Sequence, residues 1–137
     1  MKRILCSVDG SDHAEIALLA AMELASKFEA ELSLVTVNVA FGASPRGPQA
    51  LVWTKDEAQA ILDAAAVSVS KSGQKVSGAM VVLAREASGG IIDCAIEHDI
   101  DAIVLGTGDK RGLSRLFLGS VASDVANRAP CTVIIAR

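Results

Sequence analysis

Aromatic side chains are nearly absent: three Phe, one Trp and no Tyr in 137 residues. So few rings exclude an extended carbohydrate- or base-stacking surface. They leave Ala, Val, Leu and Ile to build the core, which suits an α/β sheet. Histidine is scarce too. His13 and His98 have no Asp or Glu at metal-ligand spacing, and Glu97 and Asp99 beside His98 point away from it on a helix. Cys6, Cys94 and Cys131 lie far apart, which excludes a paired metal motif and fits buried, reduced thiols. No apolar run approaches the roughly 20 residues of a membrane span. The short run after Lys2 and Arg3 is too brief for a signal peptide, so the cytoplasm is the expected compartment. A net charge of −3 gives no electrostatic footprint for nucleic acid. There is no Gly-x-Ser-x-Gly elbow and no base placed beside Ser114 or Ser120, so no nucleophile constellation appears.

What is present is an alternation. Residues 3–8 read as a short, fully buried strand. Asp12 with Glu15 predicts a helix N-cap pair, and the helix runs to Phe28 with Ala17, Ala21, Leu24 and Phe28 on one face. A strand over 31–39 follows, then a loop over 40–53 rich in Gly, Pro and Ser that contains Trp53. A helix over 54–72 carries Ala58, Ile61, Leu62, Ala65 and Val69 on its apolar face. A strand over 76–83, a helix over 90–98, a strand over 102–105, a helix over 120–128 and a strand over 131–136 complete the chain. Five strands alternating with four helices predict one α/β domain over 1–137. It has a single five-stranded parallel sheet with helices on both faces and right-handed crossovers. Ligands of such sheets bind beyond the carboxyl ends of the strands, where strand order reverses.

The stretch from Gly106 to Ser120, GTGDKRGLSRLFLGS, joins the fourth strand to the last helix. Glycines at such a junction let backbone N–H groups approach a ligand. The helix start adds unpaired N–H groups and a positive dipole end. Together they form an anion seat, with Lys110, Arg111 and Arg115 beside it. The P-loop pattern is absent. The dinucleotide fingerprint needs Gly at 111, where Arg111 stands.

The stretch resembles the nucleotide loop of the universal stress protein family: Gly, two residues, Gly, nine residues, Gly-Ser/Thr. Gly106 matches the first Gly, and Gly119 and Ser120 match the closing pair. The second Gly falls on Asp109, with Gly108 one residue early. The run GLSRLFLGSVA from Gly112, the run APCTVII from Ala129 and the opening ILCSVDGS from Ile4 are similar to that family as well. The resemblance spans essentially the whole chain.

It implies strand order 3-2-1-4-5, with the switch point between strands one and four, which end at Asp9 and Gly106. It further implies an ATP or adenine-nucleotide site. There Asp9 accepts from ribose hydroxyls and Val37 offers its backbone to adenine. Gly106, Thr107, Gly108, Gly119, Ser120 and Val121 seat the phosphates. Where the family pattern has its second Gly this chain has Asp109: either Gly108 takes over that role by a one-residue shift, or Asp109 faces out or holds Mg²⁺ bound to those phosphates. Pointed inward, within about 4 Å of a phosphate, it repels by on the order of 4 kcal/mol. Each residue also has a plainer reading. Asp9 bonds nearby backbone, Val37 is an ordinary strand residue, the glycines serve a tight turn, and Ser120 caps a helix.

Strand 131–136 is apolar and lies at a sheet edge, where it needs a cover. Proteins resembling this chain pair such strands, so a homodimer through 131–136 is expected. The leading expectation is a universal stress protein that binds ATP between strands one and four and acts in stress signalling through an unidentified protein partner. It is not an enzyme, or at most a slow ATPase. The alternative is a dimeric universal stress domain without nucleotide, serving as an interaction module, which Asp109 favours. A phosphorylated receiver domain and an adenylating hydrolase-type enzyme fit less well. The first needs a fuller acidic cluster, and the second needs elements a chain this short lacks.

Overall fold

The central strand, β1 (Arg3–Ser7), is apolar at every interior position because both its faces are covered. Ile4, Leu5 and Cys6 are completely buried. Alternation along the strand splits them between two cores. Ile4 and Cys6 join one cluster, and Leu5 joins the other. A computed structural model describes residues 1–42, 50–108 and 118–137.

The chain continues as α1 (Asp12–Phe28), β2 (Glu31–Phe41), β3 (Ala50–Leu51), α2 (Lys55–Lys71), β4 (Val76–Ala84), α3 (Ala87–Glu97), β5 (Ala102–Gly106), α4 (Ser120–Arg128) and β6 (Thr132–Ala136). Helices α1 and α2 cover one sheet face, with Ala17, Ala21, Leu62 and Val69 packed on Ile4, Leu34 and Val104. Helices α3 and α4 cover the other, with Ile91, Ala95 and Val125 packed on Leu5, Val35 and Ile103. The fold is thus α/β, a sheet between two helical layers.

The expected five-stranded, all-parallel sheet is corrected to six strands: β1, β2, β4, β5 and β6 pair in the order β4-β2-β1-β5-β6, and a short β3 is added beside β2. Pairs β1–β2, β1–β5, β2–β4 and β5–β6 are parallel. The added β3 is antiparallel, with Ala50 and Leu51 opposite Phe41 and Ala40. It comes from the segment expected to be loop, and it lengthens β2 to Phe41.

Helix boundaries differ where capping competes. The N-cap of α1 is Ser11, whose Oγ accepts from the Ala14 N–H at 3.2 Å, and Asp12 is already helical. The buried stripe is Ala14, Ala17, Leu18, Ala21, Met22 and Ala25, so Phe28 is 53% exposed rather than inward. Helix α2 opens with a reciprocal pair. Thr54 Oγ1 accepts from Glu57 N, and Glu57 Oε1 accepts from Thr54 N, both at 3.1 Å. Helix α3 begins at Ala87, three residues earlier than its two glycines suggest.

Candidate functional site

Where β1 and β5 end side by side, the chain leaves both strands through glycine-containing turns. After β1, Val8 is still tied to β2: its N–H donates to Val35 O at 2.9 Å, and its carbonyl accepts from Thr36 Oγ1 at 2.8 Å. Asp9 follows, exposed, with Oδ1 accepting from Ser11 N at 2.9 Å. That bond makes an Asx-type turn, and Ser11 then caps α1.

After β5, Gly106 lies against the first turn of α1. A Cβ there would overlap the His13 carbonyl oxygen and lie 2.6 Å from its carbon. Thr107 is 7% exposed and turns its hydroxyl to His13, 3.1 Å from Nδ1. Gly108 takes φ +66°, a left-handed conformation that glycine adopts without strain. The chain returns at Gly119, whose N–H donates to Thr107 O at 2.6 Å. A Cβ on Gly119 would overlap that oxygen and lie 2.9 Å from the carbonyl carbon of Gly108. The two ends of the loop are therefore closed on each other by backbone contact, and each contact needs glycine.

Gly119 is the N-cap of α4 and supplies no side-chain cap. The first intrahelical bond runs from Ser123 N to Gly119 O. The N–H groups of Ser120, Val121 and Ala122 precede it, and the first turn carries no acidic residue. These three residues line a cavity of about 690 Å³, together with Asp9, Gly106, Gly108 and Gly119. That volume falls among small-molecule sites.

Val37 and Val39 line the same cavity from β2. The carbonyl oxygens of Val35 and Val39 are bonded to Val8 N and Val52 N. Backbone groups two residues apart on a strand share an edge. The N–H and C=O of Val37 therefore face the gap between Val8 and Val52, toward the cavity.

Seven of the nine site residues expected from sequence thus come together around one cavity: Asp9, Val37, Gly106, Gly108, Gly119, Ser120 and Val121. Thr107 is placed differently. Its side chain packs on α1, and its carbonyl closes the loop. Ser120 does not cap α4, because Gly119 holds that position. Asp109 lies outside the described residues, as do Lys110, Arg111 and Arg115. Sequence reasoning did not single out His13, Val39, Val52 or Trp53 as lining residues. Trp53 had a usable signal, a lone Trp in a Gly/Pro-rich segment after a strand with Asn38 in an apolar run.

The model of the universal stress protein family matches residues 1–137. The chain belongs to this family. A universal stress protein of Methanocaldococcus jannaschii is 33% identical over 99% of this chain and 82% of its own. The structure of the universal stress protein from Archaeoglobus fulgidus in complex with dAMP is 26% identical. It covers 100% of this chain and 98% of its own, with a TM-score of 0.71. A universal stress protein crystallised with cAMP shares the fold at 23% identity and a TM-score of 0.77, covering 99% and 97% of the two chains.

Two charge features tie α3 to α4. Asp124 of α4 accepts from Ser88 and Arg128, and both bonds hold its carboxyl below the usual carboxylate range. Arg128 also donates to Glu86 at 3.0 Å, so the start of α3 is tied to the end of α4. Among the described residues no group of three or more His, Cys, Asp or Glu could hold a metal ion. No helix among them is long and apolar enough to cross a membrane.

Proposed function

We propose that this universal stress protein binds an adenine nucleotide, ATP by its sequence pattern, in the crevice between the ends of β1 and β5. The observation that carries the reading is the closed glycine loop. The contact from Gly119 to Thr107 brings the start of α4, whose first three N–H groups precede its first intrahelical bond, to a cavity that Val37 also lines. Phosphate sits on the amides of Ser120, Val121 and Ala122 beside Gly106 and Gly108. Asp9 keeps a carboxylate oxygen for ribose hydroxyls, and Val37 meets the base edge. Asp109 faces out or meets Mg²⁺ carried by the phosphates. The dAMP bound by the Archaeoglobus fulgidus relative supports the ligand class.

The protein acts in stress signalling through protein partners rather than by turnover. Among the described residues, the side chains around the cavity supply donors and the carboxylate of Asp9, and His13 is engaged with Thr107. The edge strand β6 exposes half-buried Val133, Ile134 and Ile135, which a second copy would cover as a homodimer. Three free thiols suit a reducing cytoplasm.

The test is a thermal-melt titration with ATP and Mg²⁺, with GTP as control, on the wild type and on Asp109→Gly. A ligand at one hundred times its Kd adds about 2.7 kcal/mol and raises Tm saturably. A rise with ATP and not GTP supports the site. A rise confined to Asp109→Gly moves the reading to the interaction module. No rise in either protein at millimolar ATP overturns nucleotide binding.

A further inference from the structure

The crevice has two ends. The glycine loop lies at the end of β5, the far end is at β2, and β1 runs between them. Strands lie about 4.8 Å apart, so the two ends are separated by on the order of 10 Å. A nucleoside monophosphate anchored by its phosphate at β5 therefore reaches β2 with its base.

At the β2 end, Asn38 is 1% exposed in an otherwise apolar stretch of strand. A buried amide there requires partners, and it finds both on one residue. Nδ2–H donates to Trp53 O at 2.9 Å, and Oδ1 accepts from Trp53 N–H at 3.0 Å. Val52 N–H donates to Val39 O at 3.0 Å. Three hydrogen bonds thus fix residues 52 and 53 across the end of β2. Val52 and Trp53 both line the cavity. Trp53 is partly buried and, among the described residues, joins neither hydrophobic core cluster. A planar indole held at a cavity wall, beside the strand backbone of Val37, matches the flat face of a nucleobase.

We propose that Trp53 is the base-recognising wall of this site and that Asn38 is the residue that positions it. The inference rests on the nucleotide reading above. It names the preferred ligand class as a nucleoside phosphate over a bare sugar phosphate. Stacking is tolerant of base identity, so the edge contact at Val37 supplies the choice among bases, and Trp53 supplies affinity for having a base at all.

The experiment is isothermal titration of the wild type, Trp53→Ala, Trp53→Phe and Asn38→Ala with AMP and with ribose 5-phosphate. It is paired with indole emission of the wild type on AMP addition. Trp53 is the only Trp, so emission reports this wall alone. The expected result is a saturable emission change in the wild type. Trp53→Ala loses about tenfold to a hundredfold in AMP affinity, with ribose 5-phosphate affinity unchanged. Trp53→Phe retains most AMP affinity. Asn38→Ala weakens AMP but not ribose 5-phosphate, a split that a general loss of structure would not produce. Equal AMP affinity in the wild type and Trp53→Ala, or unchanged emission at saturation, overturns the proposal and leaves the nucleotide reading standing. Silence of the wild type toward both ligands overturns both. If Trp53→Ala does not melt cooperatively, the wild-type emission and Trp53→Phe decide.

Discussion

Replacing Gly106 by alanine puts a methyl group into the backbone of α1. The new Cβ would lie 2.6 Å from the His13 carbonyl carbon and 2.9 Å from His13 Cβ. Carbon atoms pack at about 3.5 Å or more, so the first turn of α1 must retreat by about 1 Å or β5 must bend. Neither neighbour is the loose end of a side chain. The cost therefore belongs at the upper end of overpacking penalties, about 3 kcal/mol. For a chain of this size each kcal/mol lowers Tm by about 4 °C, so a fall of roughly 12 °C is expected.

Gly108→Ala is the control. Its Cβ meets nothing within 4 Å among the described residues, but φ is +66°. A left-handed alanine costs about 1–2 kcal/mol, partly offset by a less flexible unfolded chain. A net of about 1 kcal/mol gives a fall of roughly 4 °C. Far-UV circular dichroism melts and urea titrations measure both, with the urea m-value checking that unfolding stays two-state. A Gly106→Ala protein that melts no lower than Gly108→Ala refutes the argument that close backbone approach, rather than loop conformation, fixes glycine at 106.

Thr36→Val removes the buried hydroxyl that donates to Val8 O and leaves that carbonyl unpaired. A urea titration should show a loss of about 1–3 kcal/mol. Asp101 accepts from the N–H groups of Lys2 and Arg3, both at 2.8 Å, and these bonds hold its carboxyl below the usual carboxylate range. Its folded-state pKa is depressed, so its stabilisation is complete above about pH 4 and is lost as the pH falls through the folded value. Asp101→Asn should flatten the acid limb of a stability–pH profile and leave its shape near neutrality unchanged. Burial pushes the Cys6 thiol up to about 12 and the Cys94 thiol up to about 11. In a native-state titration with a thiol reagent at pH 8, Cys131, the least buried of the three, should therefore react first.

Much of this arrangement is legible in the residues, because β1, β5 and α4 announce themselves locally. Ile4, Leu5 and Cys6 form an uninterrupted apolar run, and they lie in the middle of the sheet. Gly106, Gly108 and Gly119 bracket the cavity because their spacing is a property of the backbone alone. What escaped the sequence depends on partners distant along the chain. The strand β3 is two residues long, too short for any periodicity. The segment that follows it is held by Asn38, fifteen residues away from Trp53. Helix α3 starts early although Gly89 and Gly90 are poor helix formers. Ser88 is bonded to Asp124, thirty-six positions on, and Gly90 lets the helix close on the sheet. A Cβ there would lie 2.7 Å from Val37 Cγ1. The outward turn of Phe28 comes from drift of the buried stripe, which ends at Ala25.

The two ends of the crevice are built by different physical means, and that difference bears on how such a site can change. At β5, the geometry is main chain against main chain. Gly119 meets Thr107 and Gly106 meets His13, and no side chain at either glycine fits. At β2, the geometry hangs on the side chain of Asn38 and the backbone of Trp53, which share no hydrogen bond with the described ends of the loop. Sites without shared partners respond independently. Substitutions at the β2 end can therefore alter that wall of the cavity without disturbing the glycine turns, whereas substitutions at the glycines disturb the turns themselves. At the glycine end the backbone leaves little choice of residue. The properties particular to this chain are to be sought at the other, where the Asn38 side chain holds the wall.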